Sequence, residues 1–201
     1  SLIAAVSENT TAYPSKLRWV SMTSLVVPAI SETIATPSFR KNWLIMILLL
    51  GLDYGSKVWV RSNVPLYEIT ELLTNFVDLT HVQNRGVSFS FFADFSDSFR
   101  IPLLVGVSFV AVAAMLYYQT RYWQEMDFFT RSGLVCVLPG AAGNLIDRIV
   151  YGYVTDFLHF RWYEKSFFVN NLADCFISLG VVFFIIPLLF SKNDSHSSNT
   201  I

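Results

Sequence analysis

Four stretches of this chain are apolar over the length that a lipid bilayer demands, and this restricts the fold more than any other feature. They run over residues 43–60 (WLIMILLLGLDYGSKVWV), 101–118, 128–150 and 172–190. Crossing the hydrocarbon layer takes about 20 mostly apolar residues, and a lone segment there must be helical to satisfy its own backbone. Of the 201 residues only 14% are charged, against about 25% in soluble domains. The spacing predicts an all-α polytopic membrane protein with four transmembrane helices. Its membrane domain covers residues 42–191, between an extension at 1–41 and a polar tail at 192–201. An even number of spans puts both termini on one side and loops 61–100 and 151–171 together on the other.

The charged residues leave the orientation open. Arg40, Lys41, Arg121, Arg131 and Lys192 flank the side of the termini; Lys57, Arg61, Arg85, Arg100, Arg148, Arg161 and Lys165 lie on or near the other. A bias of cations towards one side is what orients a span, and these counts show none. Trp43, Trp59, Tyr117, Tyr118 and Trp123 sit at segment ends, where aromatic belts form. A net charge of −1 gives no nucleic-acid footprint. Cys136 and Cys175 each lie inside an apolar block and build neither a disulfide framework nor a metal site. Residues 1–41 are rich in Ser, Thr and Ala, and their best apolar run, 25–30, contains Pro28. They read as a cytoplasmic extension with a possible start at Met22; a secretory signal after Lys16 and Arg18 is the competing reading.

Polar residues gather at the ends of the spans. Asp156, in Tyr153-Val154-Thr155-Asp156-Phe157, follows the third block; Asp174, in Asn171-Leu172-Ala173-Asp174, opens the fourth. Carboxylates at a membrane boundary are costly and usually functional. Two that converge can share one proton and act as acid and base. Read alone, they could equally be separate surface aspartates, with Asp174 capping a helix. On the third block, helical spacing puts Gly140, Asn144 and Arg148 on one face, with Asp147 adjoining. Asp147 is read first as a structural partner of Arg148, although Arg148 and Asn144 could aim donors at a substrate carbonyl or a lipid head group. Asp53 and Lys57 form an i, i+4 pair on the first block, again read as support. In loop 61–100, residues 76–82 are strand-like, and Asn84-Arg85-Gly86-Val87-Ser88-Phe89-Ser90 offers a tight turn beside an amide. Residues 158–164 (LHFRWYE) are aromatic and charged enough to lie at the interface as a lid.

These blocks, in this order, resemble the lipoprotein signal peptidase (signal peptidase II) family. Its Asp-x-x-Ser/Thr-Lys motif is matched by Asp53 to Lys57, and its Asn-x-Gly-x-x-Phe-Ser/Gly motif by Asn84 to Ser90. Its Gly-Gly-x-x-Gly-Asn-x-x-Asp-Arg run is matched up to Arg148, with Pro139 in place of the first glycine. Val-x-Asp-Phe is matched by Val154 to Phe157. Asn-x-Ala-Asp is matched by Asn171 to Asp174, preceded by Asn170 where the family has an aromatic residue. The resemblance covers about residues 43–190, and neither departure removes a catalytic group.

The resemblance implies a catalytic dyad of Asp156 and Asp174. It implies substrate-side roles for Asn84, Gly86, Asn144, Arg148 and Asn171, and a supporting polar shell of Asp53, Lys57 and Asp147, with Gly140 and Ala173 inside the matched motifs. It implies an extracytoplasmic β-rich cradle between spans 1 and 2 and an interfacial loop between spans 3 and 4. The expected substrates are diacylglyceryl-modified prolipoproteins, cut on the amino side of the modified cysteine, and the expected inhibitor is the cyclic peptide globomycin. The enzyme is expected to be a monomer in the bacterial inner membrane, in contact with membrane lipid. Both termini would be cytoplasmic and the dyad near the outer face, and neither metal nor cofactor is expected. Three other readings compete. A metal-dependent phosphotransferase would need a dense Asp-x-x-x-Asp cluster, and a transporter or structural four-span protein would need polar groups along a pore. A thiol protease built on Cys175 and His159 would need an ionised thiol where burial opposes one.

Overall fold

A computed structural model describes residues 33, 36–86 and 96–190. Among these, helix α1 spans Pro37–Asn63, strand β1 Ile69–Leu73, strand β2 Val77–Asn84 and helix α2 Asp97–Tyr122. Helix α3 spans Phe128–Tyr151, strand β3 Val154–Trp162, strand β4 Lys165–Asn170 and helix α4 Leu172–Phe190. All four helices are long and apolar enough to cross a membrane. The extension before Thr33, the motif residues Val87, Ser88, Phe89 and Ser90, and the tail from 192 lie outside the described residues.

Local chemistry fixes where the helices begin and end. Pro37 opens α1, where its missing N–H costs nothing. Asp127 caps α3 by accepting from the Thr130 N–H at 2.7 Å. Gly152, with φ 74°, closes α3 in the left-handed conformation and turns the chain directly into β3.

Helix α3 is the axis of the bundle, and α1, α2 and α4 all pack on it. Its small residues allow this: a Cβ on Gly143 would strike the Asp53 carboxyl of α1, and one on Gly140 would strike the Ala173 carbonyl of α4. α4 turns much of its apolar surface outward, with Leu188 and Phe190 each 71% exposed, as a lipid-facing helix does.

At the end away from the termini the strands form an antiparallel sheet in the order β1-β2-β3-β4. The strand-like signal at 76–82 becomes β2, and the connection expected at the interface between the third and fourth spans is a strand pair. Residues 158–162 continue β3, and β4 returns beside it with Phe160 opposite Phe168. Aromatic residues at Phe157, Phe160, Trp162, Phe167 and Phe168 favour strand pairing there. Trp123 also departs from the interfacial belt: it is fully buried, its ring edge-on to Phe39 at 5.0 Å.

Candidate active site

The sheet and the adjoining helix ends enclose a buried polar cluster that collects the polar residues singled out from the sequence. Asp53 and Lys57, one turn apart on α1, are fully buried and paired at 2.9 Å. Lys57 lies 3.7 Å from Asp147 and donates to Asn144 Oδ1 at 2.9 Å. Asn144 turns its other end to α4, donating to Asp174 Oδ1 at 2.8 Å. Asp53 accepts from the Ala173 backbone N–H at 2.9 Å, so α1 helps to satisfy the first turn of α4. The free N–H groups of a helix start need such acceptors.

Asn171 links the two aspartates. Its Nδ2 donates to Asp156 Oδ1 at 2.6 Å, while its Oδ1 accepts from the Asp174 N–H at 3.1 Å. Asp174 Oδ2 in turn accepts from the Asn171 N–H at 3.4 Å. This reciprocal pair is a capping box, so Asn171 rather than Asp174 is the cap of α4. Asp174 stands in the first turn, where the helix dipole favours negative charge. Asp156 projects from β3 and receives a second amide, Asn84 Nδ2, on its Oδ2 at 2.9 Å. Asn84 is held by the Gly86 N–H, which donates to its Oδ1 at 2.8 Å. Gly86 has φ 79°, and a Cβ there would collide with the Leu104 side chain; the turn needs glycine.

Burial pushes the Asp156 carboxyl up to about 6. Amide bonds from Asn84 and Asn171 pull the other way, Asp174 raises it further and Lys57 lowers it. Arg148 feels the negative charge of Asp174, then Asp156, then Asp147, and its buried Nε has no hydrogen-bond partner among the described residues. Among the described residues, four carboxyls thus gather with three cations in one cluster, Asp53, Asp147, Asp156 and Asp174 with Lys57, Arg61 and Arg148, buried at its centre and half-buried at Arg61, Arg148 and Asp174. A single proton on the carboxyls makes the cluster neutral. Burying net charge is expensive, and this is the direction in which burial moves Asp156.

The expected Asp147–Arg148 pair does not form. Asp147 Oδ1 accepts from Arg61 at 3.1 Å, and its Oδ2 accepts from the Thr155 N–H at 2.9 Å. Neighbours on a helix diverge by about 100°, which sends Asp147 towards α1 and Arg148 towards the dyad. Arg61 and Thr155 are the residues that sequence reasoning missed. A signal existed, because Asp53, Lys57 and Arg61 form an unbroken i, i+4 ladder. Cys136 and Cys175 are free thiols. His159 belongs to a separate network on the sheet, bonded to Asp78 and Ser166.

A family profile described as signal peptidase (SPase) II matches residues 45–190. A lipoprotein signal peptidase from Bartonella henselae is 42% identical over 155 residues, covering 77% of this chain and 91% of that protein. One from Clostridioides difficile is 37% identical over 152 residues, covering 76% and 97%. A solved structure described as a bacterial membrane enzyme superposes with a TM-score of 0.65 at 21% identity, covering 80% of this chain and 94% of the other; that likeness speaks to the fold alone. With the profile spanning most of the chain, and relatives this similar along nearly their full length, the chain belongs to the signal peptidase II family, the lipoprotein signal peptidases.

Proposed function

We propose that this signal peptidase works as an aspartic endopeptidase, with Asp156 and Asp174 as its catalytic pair. The observation that carries this reading is Asn171, which donates from its side chain to the Asp156 carboxyl and from its backbone N–H to the Asp174 carboxyl, holding both in one cluster. Asp174, at the start of α4, is the ionised partner that takes a proton from water. Asp156, raised to about 6, is the partner that holds a proton and gives it to the carbonyl oxygen as water attacks. Asp174 then passes the proton it took from water to the leaving nitrogen, and Asp156 recovers its own from the gem-diol as the C–N bond breaks. The apparent values belong to the pair as a unit. Arg148, whose buried Nε has no hydrogen-bond partner among the described residues, supplies a donor for the substrate carbonyl. Asn84 and Asn171 orient Asp156, and Asn144 orients Asp174. Asp53, Lys57 and Asp147 balance charge, and Gly86, Gly140 and Ala173 permit the close approaches.

The substrates on this reading are prolipoproteins carrying a diacylglyceryl cysteine, cut on its amino side, in the bacterial inner membrane. Both termini face the cytoplasm and the sheet lies at the outer face. The chain acts as a monomer, and a chain starting at Met22, or even near Ser38 with Arg40 and Lys41 kept, cleaves like the full one. The test uses purified protein in detergent with lipidated and unlipidated prolipoprotein. Asp156→Asn and Asp174→Asn should each lower cleavage by about 1,000-fold or more, with membrane insertion retained, because the amide keeps the shape but cannot exchange the proton. Substantial turnover by either variant removes that residue from the chemistry. Equal cleavage of the unlipidated substrate removes the lipid from recognition.

A further inference from the structure

We infer that Arg61 and Thr155 are positioning residues that set the aim of Asp156, through a closed three-residue ring with Asp147. This rests on the catalytic reading of Asp156 given above. Arg61 NH1 donates to Asp147 Oδ1 at 3.1 Å and to Thr155 Oγ1 at 2.8 Å. The Thr155 N–H closes the ring on Asp147 Oδ2 at 2.9 Å. Asp147 and Thr155 are fully buried, and the Arg61 side chain is 13% exposed, so water competes little for these bonds.

The ring grips the backbone where Asp156 is aimed. Helix α3 ends at Tyr151, Gly152 reverses the chain, and β3 starts at Val154. Arg61 holds both sides of that reversal: its guanidinium lies 4.2 Å from the centre of the Tyr151 ring on one side and bonds Thr155 on the other. Neighbouring strand residues point to opposite faces, so fixing Thr155 towards α1 and α3 turns Asp156 towards the amides of Asn84 and Asn171. A valine at 155 would fill the same space and keep the N–H bond to Asp147, but would leave Arg61 NH1 one partner short. A positioning error of an ångström in a reacting group can cost about 100-fold in rate.

The test compares Thr155→Val, Thr155→Ser, Arg61→Lys and Arg61→Leu with the full chain and with Asp156→Asn. Each protein is quantified as folded enzyme by size-exclusion chromatography in detergent before assay. Thr155→Val and Arg61→Leu should lower kcat per folded molecule by about tenfold with KM near the parent value, because the substrate is still bound but the acid is misaimed. The pH profile of kcat should shift in both, since Asp156 would no longer sit squarely between its two amides. Thr155→Ser should restore the parent rate and profile, and Arg61→Lys should recover only part of either, lacking a planar fork. The double variant should be no worse than the poorer single variant, since both break one ring. If kcat per folded molecule and its pH profile stay at parent values in Thr155→Val and Arg61→Leu while Asp156→Asn is inactive, the inference falls and the catalytic reading stands. If Asp156→Asn itself turns over, the catalytic reading falls, and the inference with it.

Discussion

A network of carboxylates and cations beneath the sheet contrasts with another across its face. Beneath it, Asp53, Lys57 and Asp147 are fully buried and bonded to several helices at once. On the face, Asp78 pairs with Arg161 at 2.9 Å and with His159 at 3.1 Å. The chain of contacts then runs out to Ser166 and to Glu71, which is nearly half exposed. The side chains are of the same kinds, and the surroundings differ. The sheet network is mixed: Asp78 is buried, but Arg161 and Glu71 reach solvent, so water can take over for a lost partner at the outer end, where a bond contributes little. In the buried network nothing replaces a lost partner, and each missing charge leaves another unpaired. A buried, balanced cluster is also the setting in which a carboxyl keeps a proton near neutral pH.

The sharpest break of this comparison is to remove one cation from each network. Lys57→Met leaves Asp53 and Asp147 short of a counter-charge and should cost about 3–5 kcal/mol. The folded fraction recovered in detergent should fall accordingly. Asp147→Asn should come next, because Arg61 rather than Arg148 loses its counter-charge. The yield of folded protein should drop several-fold, more than the activity of each folded molecule, in the manner of a broken buried pair. A normal yield of inactive protein would instead move Asp147 into the chemistry.

Titration sharpens the contrast. The Asp156 carboxyl lies at about 6 in the folded protein and near 3.9, roughly, in an unfolded chain. Between those values the folded state keeps a proton that the unfolded state has released. Stability therefore falls as pH rises through this window, by about 3 kcal/mol in all. Thermal unfolding at about pH 4.5 and about pH 7.5 should show that fall in the parent and a flatter response in Asp156→Asn. Parallel curves would mean that Asp156 is already ionised throughout. The smallest effect belongs to the sheet. Arg161→Met should cost less than Lys57→Met, about 1–3 kcal/mol, because the buried Asp78 loses one donor but keeps His159, and only the share from the exposed Glu71 should shrink at high salt. A cost equal to that of Lys57→Met would show that the two networks do not differ in the way argued here.

Much of this was legible in the sequence because it rests on local rules. The four spans follow from unbroken apolar length, and the Asp53–Lys57 pair from helical spacing. The gathering of Asn84, Asn144, Asp156, Asn171 and Asp174 followed from the order of the motif blocks, which marked them as one site. The choice of partner was not legible. Asp147 had an arginine as its immediate neighbour, yet it pairs with Arg61, 86 positions away. Asn171 rather than Asp174 caps α4, and it does so while bonding Asp156 on another element. Trp123 looked like an interfacial anchor and is fully enclosed instead. That residues 158–162, expected at the interface, form a strand was also not legible, because its pairing needs β2 and β4 on either side.

The sequence by itself determined that the chain crosses a bilayer, which residues carry its polar chemistry, and the family to which they point. Backbone hydrogen bonding in lipid and the 3.6-residue helical repeat are properties of a segment and its solvent, so they can be read along the chain. Only the tertiary structure decided which carboxyl meets which cation, and that one asparagine would bridge the two aspartates. Those pairings depend on how α1, α3, α4 and the sheet come together around one cluster. Inside it every charge needs a partner, and reach across the fold, rather than distance along the chain, supplies it.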